Sequence, residues 1–402
     1  MTEGRKKVPE VRFPGFVEPW VERKLGDVVD VVTDYVAAGS FASIAKNVEY
    51  NNSPSYAQLV RTIDLKNHFL NNGFIYVGQS AFKFLWRVNL NLESIILPNI
   101  GANIGEVYYV KPEKLPYDNN VLGPNAILLR SKYSNKFLFN LFQTNKFQND
   151  LSIIVASSGQ PKFNKTELKE IECVIPNLEE QNKIANAFEL IDDRITCQQR
   201  KLDHLQLKKK GLLQKLFPRD GATVPELRFP GFSGEWEQRK LGEICDEFKS
   251  GKGIKSSEIS DVGEFPVYGG NGIRGYTSKY NHDGEYALIG RQGALCGNMN
   301  FSIGKAYFTE HAVVVKGNND NDTRFIFYLL DLMNLGQYSG QSAQPGLAVN
   351  KLMMLNLFLP SFDEEKEISN LLYIFDNLIA LNQRKLHHLQ TQKKALLQKM
   401  FV

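Results

Sequence analysis

Two long stretches of the chain carry hydrophobic residues at a spacing typical of paired helices. Over residues 184–216 and again over 368–400, the apolar positions alternate in steps of four and three residues. This 3.5-residue period predicts a coiled-coil seam in each stretch. A proline and two acidic residues precede each seam and lysines collect toward its end, which suits the helix dipole. At about 1.5 Å per residue, each helix would be on the order of 50 Å long.

Polar residues interrupt both seams at matching places. They are Gln198 and Lys209 in the first stretch, and Asn382 and Lys393 in the second. A polar residue in a seam costs stability but fixes register and partner choice. We therefore predict that the two helices pair with each other and that these four residues set the register. The alternative is that each is an ordinary amphipathic helix lying on its own domain.

The helices belong to a longer internal repeat. VPEVRFPGFVEPWVERKLGD (8–27) aligns without gaps with VPELRFPGFSGEWEQRKLGE (224–243), and the block 175–217 aligns with 359–401. Between these blocks only short echoes remain, such as GANIG with GALCG and the SGQP and SAQP tetrapeptides at 158–161 and 342–345. The chain is therefore predicted to be two tandem halves with the same fold and different surfaces.

The variable stretches contain short β-type runs such as GFIYVG, EYALIG and HAVVVK, separated by Gly, Asn and Pro. We predict an α+β protein with two mixed, β-rich domains and two long helices, related by a pseudo-two-fold repeat. The predicted segments are an entry segment and first domain over 1–174, a helix over 175–217, an entry segment and second domain over 218–358, and a helix over 359–402.

The repeated blocks occur in circular order. The entry segment of the second half follows the first helix directly, whereas the matching entry segment of the first half lies ahead of the first domain and not after the second helix. The entry segment of one half is thus predicted to complete the structure at the end of the other half's helix. In this arrangement Phe13 and Phe16, with Phe229 and Phe232 in the repeat, are apolar anchors, and the Pro-Gly pair turns the chain.

Composition adds few constraints. The chain has 402 residues, 43% hydrophobic and 23% charged, with a formal net charge of +4, so we expect more than one domain and only a mild basic excess. No apolar run is long enough to span a bilayer and no signal peptide is evident, which favours the cytoplasm. The four cysteines are far apart, without the spacing of a zinc site or a disulfide framework.

Catalytic motifs are not supported. There is no P-loop, and Ser53-Pro54-Ser55-Tyr56 misses the adenine-methylase motif by one residue. Asp150 with Glu167 and Lys169 has a nuclease-like spacing, but the matching positions of the second half hold Lys351 and Met353. We therefore predict no catalytic or metal-binding residue.

The combined motifs resemble the specificity (S) subunit of type I restriction-modification systems. They include VPELRFPGFSGEWEQRKLGEI, YGGNGIRGY, LIGRQGALCG and NQRKLHHLQTQKKALLQKMF, and they cover nearly the whole chain. The resemblance implies two target-recognition domains, each binding half of a split asymmetric site in double-stranded DNA, joined by an antiparallel coiled coil. It implies two modification and two restriction subunits as partners, with no membrane. S-adenosylmethionine, ATP and Mg²⁺ are expected on those subunits and no cofactor on this one.

Candidate DNA contacts follow from residue type, because Arg, Asn and Gln match base edges and glycine lets a backbone approach phosphate. In the second domain they are Asn271, Arg274, Arg291, Gln292 and Asn298, with Lys249, Lys252 and Lys255. In the first domain they are Arg61, Gln79, Lys83, Arg87, Asn99 and Asn103, while Trp86 is a candidate core residue. The alternative is that the glycines only form tight turns.

Two other functions remain open at this point. A coiled-coil scaffold whose globular ends bind proteins would show no salt-dependent affinity for DNA. A free-standing nuclease or methyltransferase would be active without partners.

Overall fold

The computed structural model describes residues 8–70, 72–131, 133–156, 161–219, 221–293, 295–339 and 346–402. The chain forms two compact units, each containing one globular domain. Unit 1 comprises Met1–Cys197 and Leu386–Val402, and unit 2 comprises Gln198–Lys385. Most of both repeated tetrapeptides, at 158–161 and 342–345, lies outside the described residues.

The globular domain of unit 1 is built from short strands and helices. Its strands are β1 (Val21–Lys24), β2 (Val31–Asp34), β3 (Ala57–Val60), β4 (Ile75–Val77), β5 (Ser94–Pro98), β6 (Tyr108–Val110), β7 (Asn120–Leu122), β8 (Ala126–Arg130) and β9 (Glu172–Ile175). Its helices are α1 (Leu25–Val28), α2 (Phe41–Asn47), α3 (Thr62–Lys66), α4 (Gln79–Phe84), α5 (Asn135–Leu141), α6 (Asn145–Ala156) and α7 (Lys165–Lys169). The helix α8 (Leu178–Leu216) follows.

The globular domain of unit 2 has longer strands. They are β10 (Glu237–Lys240), β11 (Cys245–Ser250), β12 (Phe265–Gly269), β13 (Gly272–Thr277), β14 (His282–Gly290), β15 (Met299–Phe308), β16 (Ala312–Gly317) and β17 (Asn356–Leu359). The helices are α9 (Thr323–Leu332), α10 (Val349–Met353) and α11 (Phe362–Lys399). Within the described ranges, no helix combines the length and the apolarity needed to cross a bilayer.

The two domains share one sheet topology. In unit 1 a four-stranded sheet has the order β2-β8-β5-β6, and in unit 2 the strands β11-β16-β14-β15 repeat it within a six-stranded sheet. The central strands β8 and β16 read AILLR and AVVVKG and are almost entirely buried, as expected for strands covered on both faces. Each entry strand pairs antiparallel with the last strand of its domain, β1 with β9 and β10 with β17. The predicted fold class of two mixed domains with an internal repeat is confirmed.

The two long helices pair antiparallel within each unit. In unit 2, Gln198 lies opposite Asn382 and Lys209 opposite Asp376, so one helix ascends as the other descends. In unit 1, Lys393 pairs with Asp192 at 2.7 Å. These contacts confirm the antiparallel coiled coil and exclude the alternative of two helices that each lie alone on their own domain.

All four polar seam residues are engaged by the opposite helix. The Gln198 amide donates to Asn382 Oδ1 at 2.7 Å, and Asn382 is almost fully buried. Each seam lysine is held by an aspartate that lies outside the seam sequence, Asp376 for Lys209 and Asp192 for Lys393. The two ion pairs occupy equivalent positions of the repeat, so the paired helices of each unit carry the same register-specific contact.

Replacing Asn382 with leucine should destabilise unit 2. The variant removes the side-chain acceptor of the Gln198 amide and leaves it only the Asn382 backbone carbonyl at 3.2 Å, and the loss of one hydrogen bond costs about 0.5–1.5 kcal/mol. Urea unfolding followed by hydrogen exchange in peptides of unit 2 measures the loss. The double variant Gln198→Leu/Asn382→Leu removes both polar groups and should regain most of the stability. A single variant as stable as the parent protein would contradict this role.

The repeated RFPGF pentapeptide joins the entry segment to the start of a long helix. Arg12 forms a two-bonded pair with the fully buried Glu180, at 2.7 and 2.8 Å, and Arg228 does the same with Glu364 in unit 2. Planar guanidinium and carboxylate groups match geometrically, which makes such pairs directional. The arginine was not among the predicted anchors, although it supplies the strongest polar contact of the pentapeptide.

The predicted anchors and turn are confirmed in part. Phe13 and Phe229 pack against the hydrophobic cores, and Gly15 and Gly231 adopt φ values of +94° and +96°, which glycine tolerates best. Phe16 and Phe232 are partly buried like Phe13 and Phe229 but do not belong to those cores, and the Lys183 ammonium lies 4.8 Å from the Phe16 ring centre. The first phenylalanine of each pentapeptide is therefore the core anchor.

The circular order of the repeat is visible in the packing of each unit. In unit 1, Val11 N–H donates to Lys399 O, and the Trp20 ring packs edge-on against Phe401, with 6.1 Å between ring centres. In unit 2, the corresponding Phe217 ring lies 6.1 Å from Trp236. The entry segment of one half thus closes over the end of the other half's helix, as the sequence predicts.

Candidate nucleic-acid interface

A polar cavity of about 410 Å³ opens in unit 2 at the ends of several strands. We call it the polar cavity. The β12–β13 hairpin supplies Asn271 and Arg274, the loop after β14 supplies Gln292, and the start of β16 is preceded by His311. The structure therefore brings three of the predicted contacts together and places His311 beside them.

Glycines make this cavity possible. A Cβ atom on Gly290 would stand 2.2 Å from the Gly270 carbonyl oxygen, and one on Gly270 would stand 3.0 Å from that of His311. The hairpin turns at Gly272, whose φ is +90°. The glycines are therefore required by close backbone approach and by the turn, and the polar side chains project from this tight framework.

The other candidates of unit 2 border the polar cavity or lie on neighbouring strands. Arg291 precedes Gln292 and donates to Ser250 Oγ at 3.2 Å, while Asn298 is exposed at the end of the same loop. Lys252 and Lys255 are exposed on the segment after β11. Exposed cations at this edge are accessible to the phosphates of a DNA backbone.

Lys249 is exposed and pairs with Glu247 at 3.0 Å. His282 contacts the same carboxylate. Burial alone would raise the pKa of Glu247, but the hydrogen bonds from His282 and Lys249 lower it, so the carboxylate stays charged. Because Glu247 balances its charge, Lys249 offers less positive charge to a ligand than the two lysines that follow.

Some candidate DNA contacts of unit 1 are held by hydrogen bonds within the domain, and others are exposed to solvent. Arg61 donates twice to Asp64 and once to the Gly73 carbonyl, which commits most of its guanidinium to the start of α3. Asn103 accepts a hydrogen bond from Lys66, and Asn99 donates to the Phe163 carbonyl.

Gln79 and Lys83 are exposed on α4. Trp86, expected as a possible core residue, is instead 65% exposed, because the turn after α4 buries Leu85 and Val88. The Arg87 guanidinium lies 5.2 Å from the Trp86 ring centre and donates to the Ala37 carbonyl.

The strand ends of the two domains correspond residue by residue. Arg291 N–H donates to His311 O in unit 2, and Asn99 N–H donates to Asn125 O in unit 1. Isolated bridges follow in both domains, between Gln292 and Gly346 and between residues 100 and 162. Asn99, Ile100 and Asn125 therefore occupy the positions of Arg291, Gln292 and His311. Because these strands are far apart in the sequence, sequence spacing could not place His311 or Asn125 at this edge.

The structure does not assemble a catalytic centre from the nuclease-like residues. Asp150 and Glu167 line a shallow cavity with Glu170 and Glu172, yet no cluster of three metal-ligating side chains suited to a metal ion occurs among the described residues. Burial raises the pKa of the Cys296 thiol, which lies beside the polar cavity, so this cysteine is a poor nucleophile.

Comparison with known proteins places these domains in one family. A family model for the type I restriction modification DNA specificity domain matches residues 17–207 and 233–391. The Escherichia coli type I restriction enzyme EcoprrI specificity subunit is 47% identical over 148 residues, which cover 36% of this chain and 37% of that protein.

A longer alignment and a solved structure agree with this match. The putative type I restriction enzyme MjaX specificity subunit of Methanocaldococcus jannaschii is 25% identical over 406 residues, covering 94% of this chain and 92% of that protein. The crystal structure of the type I restriction-modification S subunit from M. genitalium has the same fold, with a TM-score of 0.70, 18% identity and coverage of 98% of this chain and 99% of that one.

Proposed function

Because the chain belongs to the type I restriction-modification DNA specificity family, we propose that it recognises a two-part, asymmetric site in double-stranded DNA on behalf of partner subunits. The curated relatives are named specificity subunits, and this chain is a recognition subunit without catalytic activity of its own. Each globular domain would bind one half of the site.

The proposal rests on one observation. The two domains have equivalent strand ends, but these strand ends carry different side chains. The same backbone hydrogen bonds present Arg291 and Gln292 in unit 2 but Asn99 and Ile100 in unit 1. Two domains with the same backbone and different side chains are suited to binding different base sequences, because side chains at base edges determine sequence preference. The two half-sites are therefore expected to differ.

The proposed partners are two modification subunits and two restriction subunits. The chemistry that those subunits supply would use S-adenosylmethionine, ATP and Mg²⁺, with no cofactor on this chain. We place the assembly in the cytoplasm, where it meets DNA. The seam residues Gln198, Lys209, Asn382 and Lys393 would keep the paired helices in one register while partners bind.

Exchanging residues 27–174 for those of a relative should change one half of the target and leave the other half unaltered. The measurement is a genome-wide map of methylated adenines in cells that express the chain with its modification subunits. We expect a two-part motif before the exchange and a motif with one new half after it, since residues 27–174 contain the four-stranded and the three-stranded sheet of the first domain. The reciprocal exchange of residues 243–358 is the matched control and should change the other half.

A continuous motif, or a change in both halves after one exchange, would contradict the proposal. Binding of the complex to DNA should also weaken as salt rises, because neutralised phosphates release counterions. Affinity that does not respond to salt would favour the protein-binding scaffold instead.

A further inference from the structure

Unit 1 has a second cavity at the strand ends that correspond to the polar cavity. Its floor is formed by Asn99, Ile100 and Asn125, and its volume is about 470 Å³. The connection between β2 and β3 supplies most of the wall, including Val36 and Phe41. We call it the apolar cavity. The two domains thus present equivalent floors. The wall of unit 1 is mostly hydrocarbon, whereas that of unit 2 combines the apolar Ile273 and Leu295 with polar side chains such as Arg274.

Exposed hydrocarbon is the main feature of the apolar cavity. Phe41 is 83% exposed, and Val36, Tyr50 and Ile100 are also exposed. Large apolar side chains left in water at one place commonly mark a binding surface. In this case they lie at the edge where the other domain carries Gln292 and its polar neighbours.

Most polar side chains of the apolar cavity are already engaged within the domain, while the exposed Asn125 amide remains available to a ligand. Asp34 is paired with Lys165 at 2.7 Å, and the hydroxyls of Tyr35 and Tyr50 are hydrogen-bonded to each other at 3.0 Å. The Asn99 amide donates to a backbone carbonyl. A ligand at this place would therefore be held mainly by apolar contact.

The charges around the apolar cavity suit a polyanion. Lys46 follows the wall residues on α2, Arg87 is tied to the Ala37 carbonyl beside Val36, and both are exposed. Lys83 is exposed on the neighbouring helix α4, and Glu49 is the exposed carboxylate in the same stretch as Lys46. An apolar recess bordered by cations can contact a base while its neighbours contact phosphates.

We propose that the apolar cavity contacts thymine 5-methyl groups in the half-site of unit 1, whereas the polar cavity of unit 2 contacts hydrogen-bonding base edges. The thymine methyl is the apolar group that base pairs display in the major groove, while Arg, Asn and Gln pair with guanine and adenine edges. This inference rests on the proposed function and specifies the chemistry by which each domain chooses its bases.

The test replaces thymine with deoxyuridine, which keeps the base pair and removes only the methyl group. Duplexes that contain the mapped motif are titrated with the full chain assembled with its modification subunits, and the domain exchange identifies the half-site of unit 1. We expect binding to weaken about fourfold at a contacted thymine of that half-site, the size expected for one buried methyl-sized group. Deoxyuridine in the half-site of unit 2 should have little effect.

Phe41→Ser should abolish the preference for thymine over deoxyuridine. Because Phe41 is largely exposed, the variant is expected to fold normally. Leu70→Ser is the matched control, since Leu70 is 87% exposed in the same unit and does not line the cavity, and it should keep the preference.

Three results would overturn the inference while leaving the proposed function intact. They are no loss at any thymine of the unit 1 half-site, an equal loss in both half-sites, and a preference for thymine that persists in Phe41→Ser. A complex that binds no DNA would instead refute the proposed function.

Discussion

Phe401→Ala is expected to lower the free energy of unfolding of unit 1 by about 3–5 kcal/mol, the usual cost of truncating a buried phenylalanine. Phe401 is buried and its ring centre lies 5.2 Å from that of Phe137, 5.9 Å from Phe188 and 6.1 Å from Trp20. Aromatic pairs at these distances add to the burial term. A residue beside the C-terminus should therefore determine the stability of the domain nearest the N-terminus.

Hydrogen exchange of the full chain in urea can assign the loss to one unit. Phe401→Ala should lower protection in the sheet β2-β8-β5-β6 and leave the sheet of unit 2 unchanged. The reciprocal variant Phe217→Ala removes a ring that packs on Trp236 and Phe325, at 6.1 and 5.3 Å, and should act on unit 2 alone. Lys394→Ala, at an exposed position of α11, should affect neither unit. Equal losses in both units after Phe401→Ala would refute the circular packing.

Local sequence signals predicted the parts of the fold that depend on periodicity and repetition. The 3.5-residue seam predicted both helices, and the repeated polar positions identified Gln198 and Asn382, which do contact each other. The aspartates that hold the seam lysines were not predicted. Asp192 and Asp376 lie outside the seam positions, and their role depends on the antiparallel alignment of two segments nearly two hundred residues apart.

The residue types of the candidate interface could be predicted from the sequence, but the arrangement of those residues could not. Asn271, Arg274 and Gln292 were chosen from glycine-rich loops, and the structure places them around one cavity. His311 joins them only because β16 lies between β11 and β14 in the sheet. For Arg61 a local signal did exist, since Asp64 follows three residues later and such pairs meet on a helix.

One buried position near the start of each long helix holds a different side chain in the two halves. Gln181 in unit 1 and Glu365 in unit 2 are equivalent in the repeat, and both are almost fully buried. The Gln181 amide donates to the Pro176 carbonyl, whereas Glu365 Oε2 accepts from the Asp322 N–H at 2.6 Å. Burial raises the pKa of Glu365 to about 8, despite the Asp322 N–H, which lowers it. The carboxyl thus behaves as the neutral amide does in the other half.

The stability of unit 2 is therefore expected to fall as pH rises from about 4.5 to about 8. Below its unfolded pKa near 4.5, Glu365 is protonated in both states and its contribution is fully present. Between the two values the unfolded chain releases a proton that the folded unit retains, so unfolding becomes easier. Above about 8 the contribution is lost, and the total change is on the order of 5 kcal/mol.

Glu365→Gln should remove this dependence, because an amide does not ionise and the equivalent Gln181 already fits the same place. The variant should match the parent protein near pH 4.5 and exceed its stability above pH 8, as measured by hydrogen exchange of unit 2 peptides in urea across that range. Carboxylates whose pKa is lowered in the fold, such as Glu247, lose stabilising charge only at lower pH and are common to both proteins. Parallel stability curves for the two proteins would mean that Glu365 is ionised in the folded unit, and the buried carboxyl would then require a cation that the described contacts do not supply.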